Sequence, residues 1–327
     1  MPDGLTLQDH PGLATWYRAH SATPPGVDQP AQLLVWRLCE AMCTGPTSSV
    51  RRLVDGLRVF MTTSSAPLQD FLQAEDVCHG CDAKLLELIG GLGEAAVRSE
   101  YADSFLQAMQ SLADATGLVV LRFLAAWAAL NIGRLEQCIA ECEKVDEPFA
   151  AIFTVQGQAL LELGKPRDAL EVLAIAVKLA PQEVLAWFQA AKAHHLIDEY
   201  DQAFDALRRC RALSPHSDEV CLYMGLVALD PNASPSYTGE ALTALKPLMA
   251  RFADHPVIVF TLVRLACRHG DKEQAEQVIN AIAWQNNMRG TESVRQLPPV
   301  LRALNTTGWM DLAANLLNAM MPQKLAG

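Results

Sequence analysis

Positive charge is in short supply in this chain: 26 lysines and arginines face 37 aspartates and glutamates, a formal net charge of −11. The deficit holds on both sides of residue 118, with 7 basic against 14 acidic residues before it and 19 against 23 after it. Neither half carries the cationic surplus that a phosphate backbone demands, which argues against nucleic acid as a partner. Aromatic residues make up only 6% of a sequence that is 50% hydrophobic. The apolar content therefore rests on small and aliphatic side chains, which suit stacked helices better than sheets. Long apolar runs are missing too, since no stretch reaches the roughly 20 uninterrupted residues of a membrane helix. The nearest, residues 118–132, is broken by Arg122 and Asn131. Membrane insertion is not expected. The first 30 residues lack the charged-then-apolar order of a secretory signal, and the reading is of a cytoplasmic protein.

Catalytic signatures are equally scarce. The sequence contains no glycine-rich phosphate loop, nucleophile elbow or HExxH motif. Gly90-Gly91-Leu92-Gly93 has no strand before it and reads as an interhelical turn. Asp198 and Glu199, a pair of adjacent carboxylates, fall in a turn and read as solvated. No enzymatic activity and no cofactor are expected.

Nine cysteines in 327 residues do not form the dense pattern of a short secreted disulfide scaffold. Cys138, Cys142, Cys210 and Cys221 occupy helix-packing positions, where a reduced cysteine acts as a small hydrophobe. The segment Cys78-His79-Gly80-Cys81 is different, because a two-residue gap lets two thiolates meet one zinc ion or form a redox disulfide. Cys39 and Cys43, one helical turn apart, would supply the other two ligands. Ordinary packed cysteines are the favoured reading and no metal is assigned; a zinc or redox sensor built around Cys78 and Cys81 is an alternative. His194 and His195 point about 100° apart on a helix and cannot chelate one ion together. One packed and one outward-facing imidazole are expected.

What the sequence does have is an internal echo. Trp187, Ala191, Ala203, Leu207, Cys210 and Pro215 each lie 34 positions after Phe153, Gly157, Ala169, Leu173, Ala176 and Pro181. Gly157 with Ala169, and Ala191 with Ala203, are small where two antiparallel helices must cross closely. Gly164 marks the turn of the first unit and Asp198 with Glu199 that of the second, and a proline stops each second helix. On these residues the chain resembles the tetratricopeptide repeat family, a 34-residue helix-turn-helix unit. Weaker copies flank the clear pair. One runs from Val119 to Glu147 with Gly133 at its turn and Cys138, Cys142 and Val145 on its second helix. Others start at Asp218, interrupted by a Pro-, Asn- and Ser-rich insertion from Asp230 to Gly239, and at Pro256, with Gly270 at the turn. A last pair spans roughly Ser293 to Asn305 and Trp309 to Met320.

The resemblance implies an all-α, right-handed helical solenoid of five to six helix pairs over residues 119–327. Residues 1–30 read as a mobile arm and 31–118 as a helical domain that caps the first repeat. Within that domain helical patterns run over residues 31–43, 49–61, 67–77, 82–89 and 94–115. The last carries the apolar stripe Val97, Tyr101, Phe105, Met109 and Leu112, which either packs on the first repeat or forms a dimerisation surface.

The family's concave face is lined by the first helix of each pair, and positions two, five, nine and twelve meet a bound peptide. Carried over, this implies a peptide-binding set that includes Phe123, Trp127, Thr154, Gln158, Leu185, Phe188, Lys192, His195, Leu222, Leu226, Phe260 and Arg264. The chaperone-cofactor branch grips a C-terminal carboxylate with Lys and Asn at fixed places. Here Thr154, Gln158, Phe188 and Lys192 stand there, which speaks against that clamp. The mainly apolar groove implies a non-catalytic protein that holds another protein or peptide through apolar anchors, in the manner of a secretion or assembly chaperone. An oligomeric scaffold with a self-covered groove is the other reading, and it predicts a homo-oligomer.

Overall fold

The structure, a computed structural model, describes residues 17–19, 22–23, 36, 97–98, 102–116, 119–145, 149–282 and 291–320. Cys39, Cys43, Cys78, Cys81, Gly90 to Gly93 and most of the helical patterns read before residue 94 lie outside the described residues. Thirteen α-helices have described bounds, and no strand occurs among the described residues. The chain divides into two compact units, Met1–Leu179 and Ala180–Gly327.

The first unit contains α1 (Ala102–Thr116), α2 (Val119–Asn131), α3 (Leu135–Glu143), α4 (Ala150–Glu162) and α5 (Pro166–Leu179). Each helix packs on its neighbour in sequence, and α2 also lies against α4. The stripe on α1 turns inward, with Phe105, Leu106 and Met109 fully buried. On α2 the residues Ala125, Ala126, Ala128 and Ala129 are all solvent-free, and their short side chains let adjacent helices approach closely. Pro166 begins α5, where its fixed φ suits a first helical residue and its missing N–H is not needed.

The second unit contains α6 (Val184–Leu196), α7 (Tyr200–Leu213), α8 (Asp218–Ala228), α9 (Tyr237–Met249), α10 (Pro256–His269), α11 (Lys272–Asn280), α12 (Thr291–Thr306) and α13 (Met310–Met320). The even-numbered helices are the first members of their pairs. Among them α8 packs on α10, and α10 on α12. Phe204 and Phe260 anchor the core, each fully buried. Helices α8 and α11 are capped by Ser217 and Asp271, whose side chains accept from Val220 N and Gln274 N. Both units are stacks of antiparallel helix pairs, the all-α, tetratricopeptide-like class expected. Helices α4, α6 and α8 begin at residues 150, 184 and 218, which keeps the 34-residue interval.

One turn recurs five times. A backbone N–H reaches back five residues to a carbonyl: Arg134 to Ala129, Lys165 to Leu160, Glu199 to His194, Asp271 to Ala266 and Trp309 to Leu304, at 2.8 to 3.0 Å. The residue just before each donor is left-handed: Gly133, Gly164, Asp198, Gly270 and Gly308 have φ of 74°, 72°, 63°, 82° and 78°. Asp198 is the one that is not glycine, and its carboxylate accepts from the Tyr200 hydroxyl at 2.7 Å. A Cβ at Gly164 would meet nothing within 4 Å. Gly164→Ala is therefore expected to cost about 1 kcal/mol through backbone conformation alone, read as a lower urea midpoint with unchanged m-value.

The α8–α9 link replaces this turn with the insertion. Arg268 of α10 ties it down by donating to the Asp230 and Ala233 carbonyls, both at 2.6 Å. Two helices carry internal prolines. Pro247 lies in α9, and Pro298 with Pro299 in α12, which removes amide donors to the carbonyls four residues earlier. Helix α12 continues through both. Val145 lies beyond the end of α3 rather than on it.

Candidate protein-interaction surface

The sequence assigned the first helix of each pair to a binding face. In the first unit that face belongs to α2 and α4. Phe123 is half-buried, edge-on to Phe149 at 5.6 Å, and Trp127 is half-buried. Thr154 is buried, its hydroxyl donating to the Ala150 carbonyl at 3.1 Å. Gln158 is half-buried and donates to Glu162 at 3.1 Å.

In the second unit Leu185 and Leu226 are exposed, and Leu222 is half-buried. Phe188 and Phe260 differ from the expectation of a surface residue, being 3% and 0% exposed. Tyr223 covers Phe188 edge-on at 5.4 Å, and the Lys192 ammonium sits 4.4 Å from the ring centroid. Thr154, Phe188 and Phe260 therefore act in packing. An apolar side chain at a groove position turns inward when a neighbouring helix offers it a larger apolar contact than solvent does.

His194 and His195 are both half-buried, rather than one packed and one outward-facing. His194 Nδ1 is 2.7 Å from Glu199 Oε2, so Glu199 is paired across the α6–α7 turn and not simply solvated. His195 Nδ1 lies 3.0 Å from the Tyr223 hydroxyl, and its Nε2 lies 3.8 Å from Asp230 Oδ2. The five described cysteines are free and buried. Burial pushes the Cys210 thiol up to about 12 and the Cys267 thiol to about 11, so neither is a thiolate nucleophile at neutral pH. Among the described residues no group of three or more His, Cys, Asp or Glu side chains is placed to hold a metal ion.

A cleft of about 600 Å³ opens on the wall formed by α10 and α12. Leu229, Pro231, Pro299 and Ala303 give it apolar sides, Thr306 and Thr307 a polar edge, and Arg264, Arg268 and Arg302 its charge. Among the described residues neither the Arg264 nor the Arg302 guanidinium has a hydrogen bond or ion pair. Burial lowers the pKa of Arg264 from its usual value. Sequence reading singled out Arg264 and missed Arg302. The signal was present: Lys192, Leu226, Arg264 and Arg302 occupy one repeat position, and three of them stand six residues before the left-handed residues Asp198, Gly270 and Gly308.

These helix pairs are matched by known proteins. Residues 154–218 match the tetratricopeptide repeat model. That segment covers most of α4, all of α5, α6 and α7, and the first residue of α8, the part in which the 34-residue interval is most regular. No curated protein matches this chain. Among solved structures, a tetratricopeptide repeat protein from Parabacteroides merdae ATCC 43184 is similar with a TM-score of 0.49 and 10% identity, over 86% of this chain and 99% of that one. MamA from Desulfovibrio magneticus RS-1, residues 41 to its end, is similar with a TM-score of 0.43 and 17% identity, over 51% and 96%. A thermophilic tetratricopeptide protein from Thermus thermophilus gives 0.42 and 18%, over 56% and 98%. Solenoid repeats of this kind in general stack into extended concave binding surfaces. No described helix is long and apolar enough to cross a membrane.

Proposed function

We propose that the second unit binds another polypeptide along the face of its first-member helices α6, α8, α10 and α12, and that the protein serves as a non-catalytic assembly or secretion chaperone. The observation that carries this reading is the exposure of Leu226 on the same face as the cleft edged by Leu229. A leucine left 38% exposed beside a partly apolar cleft of about 600 Å³ offers an anchor site for an apolar side chain, within the usual size range of binding pockets. Leu185, 47% exposed on α6, supplies a second anchor. Covering such side chains contributes about 25 cal/mol per Å² of apolar surface removed from water.

The surface test avoids Phe188, whose replacement by a charge would break the core. Leu185→Glu with Leu226→Glu is expected to leave the circular dichroism spectrum and unfolding midpoint nearly unchanged, as exposed substitutions do. Stoichiometric capture of a partner from the native source, followed by intact mass spectrometry, should fall at least tenfold. Undiminished capture by the double variant would overturn the assigned face. A concentration-dependent homo-oligomer with no second polypeptide would favour the scaffold reading instead.

A further inference from the structure

The cleft between α10 and α12 holds more positive charge than the described residues neutralise. Three guanidinium groups line it, and among the described residues no aspartate or glutamate does. Arg268 is engaged, but by the backbone carbonyls of Asp230 and Ala233, which leave its charge uncompensated. The Asp230 carboxylate is occupied elsewhere, accepting from the Asn232 amide at 3.0 Å and standing 3.8 Å from His195 Nε2. Arg264 is half-buried against the cleft wall and, among the described residues, meets no acceptor. A desolvated cation without a partner is unfavourable in the unliganded protein, and an anion entering the cleft relieves it.

We propose that this cleft is a carboxylate-binding site in which Arg264 and Arg302 pair with an acidic side chain of the bound polypeptide, while Leu229 and Ala303 receive an apolar neighbour of that residue. The inference rests on the groove reading of the preceding section and names the partner chemistry for one end of it. Two features select a polypeptide carboxylate over a bare phosphate. The arginines stand at the same repeat position as the exposed Leu226, so a chain anchored there continues into the cleft. The walls between the charges are apolar, and an acidic residue flanked by an apolar one satisfies both surfaces. A guanidinium also matches a carboxylate through two parallel N–H donors, which lysine does not provide.

The probes are acetyl-Leu-Glu-Leu-amide and acetyl-Leu-Gln-Leu-amide, with inorganic phosphate as the competing anion. Binding is read from the guanidinium Nε–Hε resonances of Arg264 and Arg302 in the full chain. The glutamyl probe is expected to shift both resonances and to bind about tenfold or more tightly than the glutaminyl probe, the discrimination a charge-assisted hydrogen bond supplies. Arg264→Met with Arg302→Met should erase the discrimination while leaving the unfolding midpoint unchanged or raised. Arg264→Lys should retain part of it. Equal affinity for the two probes, or a clear fall in midpoint on Arg264→Met, overturns the proposal. Phosphate displacing the glutamyl probe at lower concentration than glutamate would also overturn it, by assigning the cleft to a free anion. Failure of the groove reading looks different: the probes discriminate and the arginine variants abolish that discrimination, yet Leu185→Glu with Leu226→Glu leaves partner capture intact.

Discussion

Alanine at position 141 is expected to destabilise the first unit by about 3 kcal/mol, the lower end of the range for breaking a buried ion pair. Glu141 lies on α3 with its side chain only 2% exposed. It accepts from Arg122 of α2 at 2.9 Å, from Gln110 of α1 at 2.9 Å and from Lys144 at 2.8 Å. One carboxylate thus joins three helices. Its removal leaves the side chain of Gln110 short of an acceptor and Arg122, 13% exposed, with Asp114 alone at 2.6 Å. The remaining Asp114 contact is the reason for choosing the lower end.

The same network sets a pH dependence. Burial acts to raise the Glu141 pKa, but hydrogen bonds from Lys144, Arg122 and Gln110 outweigh it and hold the carboxyl below its ordinary value. A depressed folded-state pKa means that its contribution is fully present above the unfolded pKa and is lost as pH falls through the folded one. Acid titration should therefore weaken the first unit, and Glu141→Gln should flatten that part of the profile. Amide hydrogen exchange over α1 to α3 is the suitable readout, because it reports this unit separately from residues 180–327. A loss under about 1 kcal/mol on Glu141→Ala would place the network with ordinary surface pairs.

Valine at position 157 is the second large effect, expected to cost about 3 kcal/mol or more, at the upper end of core overpacking. Gly157 lies within α4 at an ordinary helical φ, so conformation does not demand glycine there. Space does. A Cβ would fall 2.5 Å from Leu173 Cγ and 2.7 Å from its Cδ2, and Leu173 of α5 is itself fully buried. Alanine regains about 1 kcal/mol of helix propensity over glycine, so Gly157→Ala should cost less than Gly157→Val. Leu173→Ala alone opens a cavity, and combining it with Gly157→Ala should give a smaller loss than the sum of the two. An additive double variant, measured by urea denaturation, would show that the two residues do not share one packing site.

Gly157 and Gly164 illustrate how much was readable. Both belong to the repeat pattern, the first where two helices cross and the second at a turn, and the structure bears out both places. What the pattern did not disclose is the partner. Gly157 was paired with Ala169 on the register, and the side chain that fills its notch is Leu173, four residues further on. The Glu141 network was not legible either. Arg122 appears in the sequence only as an interruption in an apolar run, and nothing there singles out Glu141, because an ion pair 19 residues apart leaves no periodic trace.

The binding face was legible in outline and not in detail. Repeat register located Leu185, Leu226 and Arg264 on first-member helices, where they remain half-buried or exposed. It also placed Phe188 and Phe260 there, and both are buried. Register specifies which helix face a residue occupies, whereas the burial of one side chain depends on neighbours such as Tyr223, which α8 brings against Phe188. The two prolines and the degenerate pattern of α12 obscure the repeat register of Arg302 in the sequence.

By itself the sequence determined the all-α class, the 34-residue interval, the helix pairs from residue 119 onward and the turn positions, because small residues, glycines and prolines act locally and recur. Tertiary structure decided which of the apolar groove residues are core, which carboxylate is buried, and that Arg264 and Arg302 line one cleft with no counter-charge among the described residues. Those outcomes depend on distances between side chains far apart in the chain, which packing sets and local pattern does not encode.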